Sequence, residues 1–132
     1  MGGATILRGI GLGVLAMLLN VAAAFLWVLF YSIAVAPGHD GAFYQAYAQS
    51  VAPIAAIVAG LPILLACGWL AARGRNALPA GLIPAIVYIL LDFAMVAAGG
   101  LWPPFWLLLL SWLTKIAAAW AGARLRMTRT AA

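Results

Sequence analysis

Polar residues interrupt this chain so seldom that its pattern is one of long apolar runs divided by short polar breaks. Residues 9–31 are apolar apart from Asn20. At ~1.5 Å of rise per helical residue, such a run covers the ~30 Å hydrocarbon core of a bilayer. Three further runs, at about 51–72, 79–99 and 103–123, have the same character. Backbone N–H and C=O groups find no water in hydrocarbon, so each run has to satisfy them internally, as a helix. The pattern predicts an all-α integral membrane protein: a four-helix antiparallel transmembrane bundle, with residues 1–132 forming a single transmembrane domain.

The breaks agree with this reading. Residues 32–50 form the longest polar connection, in which Pro37, Gly38 and Gly41 mark a turn and Asp40 is placed to cap a following helix. Phe43, Tyr44 and Tyr47 fall near one helical face, so 42–50 is expected either to lie in the interface or to extend the second span outward. Residues 71–78, with Arg73, Gly74 and Arg75, make a tight connection, and 99–104 (GGLWPP) turns without any charge. The AVA at 34–36 has the form of a leader-peptidase site. The apolar run before it exceeds the usual ~7–15 residues, however, and Pro37 would follow the cut, so the first span reads as a retained anchor.

Composition excludes a soluble domain: 68% of residues are hydrophobic, 7% are charged and the mean hydropathy is +1.16, whereas globular chains carry about 25% charged residues. The net charge of +5 comes from only seven basic residues, which form no stripe; this argues against nucleic acid and for a topological role. With four spans, Arg8, Arg73, Arg75, Arg124, Arg126 and Arg129 all fall on one side and Asp40 on the other. The expectation is a multi-pass protein of a bacterial inner membrane with both termini cytoplasmic. Trp27, Phe30, Tyr31, Phe43, Tyr44, Tyr47, Trp102, Phe105 and Trp106 then gather at the outer interface, with Trp69 and Trp120 toward the inner one. Trp112 stands apart, near mid-depth beside Lys115. One cysteine, Cys67, and one histidine, His39, exclude an internal disulfide or a Cys/His metal cluster within one copy, and no cofactor motif is present.

The chemistry concentrates in a polar layer inside the bundle. Counting rise from the inner ends puts Asn20 ~16 Å, Asp92 ~20 Å and Lys115 ~12 Å deep. The lysine stem can reach along its helix toward the other two. Tyr88 lies one turn from Asp92, and Ser111 one turn from Lys115. A buried carboxylate requires a partner, and the short third connection makes an Asp92–Lys115 pair the simplest expectation. Ser111 with Lys115 is also a serine–lysine couple, but i, i+4 proximity arises often by chance, and no catalytic residue is assigned. Pro62, in the middle of the second span, is expected to kink it. Gly9 with Gly13, and Ala118 with Gly122, have the small-xxx-small spacing that lets helices approach closely.

Two functions fit these features. The first is a structural or accessory subunit of a membrane assembly, associated with the bilayer and with copies of itself or a larger membrane protein. The alternative is a homo-oligomeric small-solute or ion transporter or channel using Asn20, Asp92 and Lys115.

Overall fold

In the computed structural model, which describes residues 1–74, 76–100 and 102–130, the apolar runs become four helices. They are α1 (Gly3–Phe30), α2 (Gly41–Ala71), α3 (Ala77–Gly99) and α4 (Phe105–Thr130), and α1 ends in a π-helical turn, Tyr31–Val35. All four are long and apolar enough to cross a membrane, and there is no strand among the described residues. Arg75, one of the six arginines assigned to the positive side, lies outside the described residues.

The helices outrun the hydropathy-based spans because charge and aromatic residues end a membrane segment without ending a helix. Thus α2 takes in the whole of 42–50, the outward extension foreseen as one of its two options. It begins where the sequence places its cap: the Asp40 carboxylate accepts the Phe43 N–H at 2.9 Å. The loop before it is pinned by Tyr44, whose hydroxyl donates to the Ala36 carbonyl at 2.7 Å and accepts the His39 N–H at 3.2 Å. α3 ends at Gly100, whose φ of 65° is the left-handed cap that a residue without Cβ adopts freely. α4 continues through the arginines to Thr130, with Arg126 stacked over Trp69 at 4.6 Å and Arg124 over Trp120 at 5.1 Å.

α2 runs through Pro62 as one helix, although the missing N–H leaves the Val58 carbonyl without its helical donor. Pro62 and Val58 are both exposed, facing away from the other helices. Pro84 in α3 is the buried proline, and its carbonyl faces Gly13.

Side-by-side packing is most extensive between α2 and α4, followed by α1 with α3 and α1 with α2. Both small-residue motifs lie in these seams. A Cβ on Gly9 would come within 2.6 Å of Ile83, and one on Gly13 within 2.6 Å of Val87, so this pair brings α1 onto α3. On α4, a Cβ on Gly122 would overlap the Leu65 carbonyl; on α2, one on Gly68 would overlap that of Ala119. Ala118 is buried in the same seam. Gly9, Gly13, Ala118 and Gly122 thus meet partners within the chain.

Burial is confined to one half of the molecule. Buried positions occupy 9–20 of α1, 60–71 of α2, 80–88 of α3 and 108–123 of α4. Residues 21–35, 41–59 and 89–100 contain none. The helices are therefore packed backbone to backbone at the end that carries Arg8, Arg73, Arg124, Arg126 and Arg129 and bury no residue at the other, where α1 and α2 still meet through Tyr31 stacked on Tyr47 and the Trp27 N–H on the Tyr47 hydroxyl.

Candidate functional site

The less buried half encloses a cavity of about 780 Å³. α1 contributes Met17, Asn20, Val21 and Ala24 to its lining and α3 contributes Tyr88, Asp92, Met95 and Val96, from the C-terminal parts of both helices. α2 contributes Gln49, Ala52, Pro53 and Ala56 and α4 contributes Leu108 and Ser111, from N-terminal parts. Helices consecutive in the chain therefore alternate in direction, whereas the two most extensively packed pairs, α1 with α3 and α2 with α4, run parallel; all four contribute to the lining of this vestibule. Its walls are mostly apolar, and apart from Gln49 near the outer end its polar groups, Asn20, Tyr88, Asp92 and Ser111, gather at the closed end.

Those groups are the ones the depth count singled out. Asn20 donates its amide to the Tyr88 hydroxyl, joining α1 to α3 at the floor; both residues are buried. Ser111, also buried, is in hydrogen-bond contact with the Lys115 ammonium, which also donates to the Ser111 carbonyl at 3.3 Å. Helical side chains lean toward the N-terminus of their own helix, which for α4 is the open end. Lys115 therefore folds up toward the floor and does not reach for the arginine end. It is wholly buried, with its Nζ 4.7 Å from the centroid of the Tyr88 ring. The α2 residue beside it is Gly60, where a Cβ would stand 3.1 Å from the lysine Cε.

Asp92 and Lys115 do not pair. The Asp92 carboxylate instead accepts the Trp112 indole N–H at 2.8 Å, while Lys115 is occupied by Ser111 and Tyr88. Trp112 and Lys115 lie three residues apart on α4; the tryptophan meets Asp92, while the lysine packs against Gly60 of α2 with its ammonium over the Tyr88 ring of α3, one turn from Asp92. Spacing placed Trp112 at mid-depth beside Lys115 but did not assign its N–H to Asp92. The Asn20–Tyr88 bond was likewise missed, because it joins helices that are not sequence neighbours.

The layer is electrostatically uneven. Lys115 has a hydroxyl, a carbonyl and a π face around it, whereas Asp92 has a single neutral donor and borders the vestibule. The Asn20 carbonyl oxygen is buried without any hydrogen-bond partner. Buried polar atoms are seldom left so, since an unmet acceptor costs about 1–3 kcal/mol. No group of histidine, cysteine and acidic side chains able to hold a metal is found among the described residues.

Four helices long and apolar enough to cross a membrane, with a cavity lined by all four, have the character of a multi-pass membrane protein. No known protein family, curated protein or solved structure matches the chain.

Proposed function

We propose that this chain is an accessory subunit of a membrane assembly, one that captures an occupant in its vestibule and does not itself carry a solute across the bilayer. The observation behind this reading is the one-sided packing. Below the floor, α2 and α4 are held at backbone contact distance by Gly68 and Gly122, so a continuous path would require the tightest seam of the molecule to part. The arginines gather at the closed end, and the positive-inside tendency sets that end in the cytoplasm of a bacterial inner membrane, with both termini inside and the vestibule facing out. Gly9, Gly13, Ala118 and Gly122 are engaged within the chain. The long exposed faces of α1, including Leu18, Phe25, Leu26 and Phe30, remain for lipid, further copies or a larger partner.

A second reading, a homo-oligomeric transporter or channel, draws on Asp92, a mid-span carboxylate bordering an open cavity. Two measurements separate the readings. In a Cys67→Ala background, Val96→Cys and Ala56→Cys should react with a membrane-impermeant thiol reagent from the outer face only, and Thr128→Cys only from the inner face. The purified chain alone in liposomes should then pass neither small cations nor protons. Flux through the chain alone would establish the transporter instead, and labelling of Thr128→Cys from outside would overturn the orientation.

A further inference from the structure

The floor of the vestibule is unbalanced in a way that specifies its occupant. Its donor nitrogens are engaged: the Trp112 N–H on Asp92, the Asn20 amide on Tyr88 and the Lys115 ammonium on Ser111. Its acceptors are not. Asp92 has one neutral donor and no ion pair, and the Asn20 carbonyl oxygen, on a residue 5% exposed, has no partner. A carboxylate at this depth is costly to leave without a counter-charge. Lys115 does not supply one in contact, since it is held behind Ser111 and the Tyr88 ring. Above the floor, the walls are mostly apolar, Gln49 being the polar exception, and the aromatic Trp102 also borders the cavity.

We propose that the vestibule binds a small amphipathic amine, its primary or secondary ammonium donating to Asp92 and Asn20 and its apolar body lying along Met17, Val21, Met95 and Val96. This deepens the capture reading and rests on it. Three features select the class. The free acceptors call for a head with N–H donors, which a quaternary ammonium lacks. The carboxylate calls for positive charge, and a hydrogen bond between ionised groups is about twice as strong as a neutral one. A cavity of about 780 Å³ also lies in the ~300–1,000 Å³ range of small-molecule pockets.

The test uses the full chain in nanodiscs of zwitterionic lipid, with n-dodecylamine as probe. Dodecyltrimethylammonium, dodecanol and dodecanoate serve as comparisons, and binding is read by native mass spectrometry. The amine should bind saturably, one per chain, with the quaternary analogue and the alcohol weaker and the carboxylate absent. Asp92→Asn should lower amine affinity by about tenfold to a hundredfold, the worth of a charge-assisted hydrogen bond. Asn20→Ala should lower it by less. Val96→Trp, which fills the cavity and leaves the charges in place, should abolish it; this second variant keeps the test decisive if Asp92→Asn does not fold. Unchanged affinity in both Asp92→Asn and Val96→Trp, or equal binding of amine and carboxylate, would overturn the proposal. Outer-face labelling of Val96→Cys distinguishes the two failures. Labelling without amine binding removes the ligand class alone, and absence of labelling removes the vestibule and both readings together.

Discussion

The seam between α2 and α4 makes the sharpest stability prediction, because a single methyl group tests it. In Gly68→Ala, the new Cβ would overlap the Ala119 carbonyl oxygen and stand 2.7 Å from the Ala119 Cα, both backbone atoms that no rotamer change can move. Ordinary carbon contacts lie near ~3.5–4.0 Å, so the helices must part locally by about 1 Å, and a gap of that order forfeits a quarter to a half of each dispersion contact it opens. Overpacking of this kind costs about 1–3 kcal/mol. Alanine's higher helix propensity opposes it by ~1 kcal/mol, so a net loss of up to about 2 kcal/mol is expected. Gly122→Ala, which overlaps the Leu65 carbonyl and approaches the Trp69 N within 2.9 Å, should behave alike. The two together should cost less than their sum, since the first already parts the seam. Gly11→Ala is the control: nothing lies within 4 Å of its added Cβ, so it should keep or gain up to ~1 kcal/mol. Unfolding in mixed detergent micelles, followed by far-ultraviolet circular dichroism, measures all four. If Gly68→Ala and Gly122→Ala match or exceed the wild type, the helices do not meet at backbone distance, and the argument against a path through the closed half fails with them.

Two further predictions concern the floor. Tyr88→Phe leaves the Asn20 amide without its acceptor and should destabilise the chain by about 1–3 kcal/mol, whereas Tyr88→Phe with Asn20→Leu should recover part of that loss; equal losses in the same unfolding assay would show that the two do not bond. Lys115→Met keeps the volume beside Gly60 and removes a buried charge that has no counter-ion in contact, so it should be neutral or stabilising by ~1–4 kcal/mol, while Ser111→Ala, which takes away the ammonium's hydroxyl partner, should cost about 1–3 kcal/mol; a strongly destabilising Lys115→Met would show that the ammonium is paired after all.

Much of the fold could be read from the sequence because hydrocarbon leaves the backbone so little choice. Four apolar runs had to be helices, and Asp40 had to begin the second. Their true ends were hidden: hydropathy stops at Arg124, but helical hydrogen bonding does not, and nothing in 31–35 announces a π-helical turn. Depth along the axis was also legible, since rise per residue is fixed, and Asn20, Tyr88, Asp92, Ser111 and Lys115 do gather at one level. Helix rotation was not. Whether Asp92 meets Trp112 or Lys115, three residues apart on α4, is something spacing does not resolve. Sequence adjacency holds for α3 and α4, which meet through Asp92 and Trp112, but it does not reveal that the most extensive packing joins α2 to α4. The glycine motifs marked small-residue faces but could not name the neighbour that meets each of them.

That same pairing imposes an order on how the chain can be made. A ribosome delivers α2 two helices before α4, yet the α2 face bearing Gly60, Leu64, Cys67 and Gly68 finds most of its cover only when the last helix arrives. Until then the nascent protein holds a waiting strip of glycine and small side chains, and above it a lysine-sized gap. Quality-control machinery that surveys the bilayer would meet an incomplete chain for the whole of this interval. The final helix thus acts as the keystone of biosynthesis: inserting Lys115 beside Gly60 both closes the bundle and buries the last charge to enter the membrane.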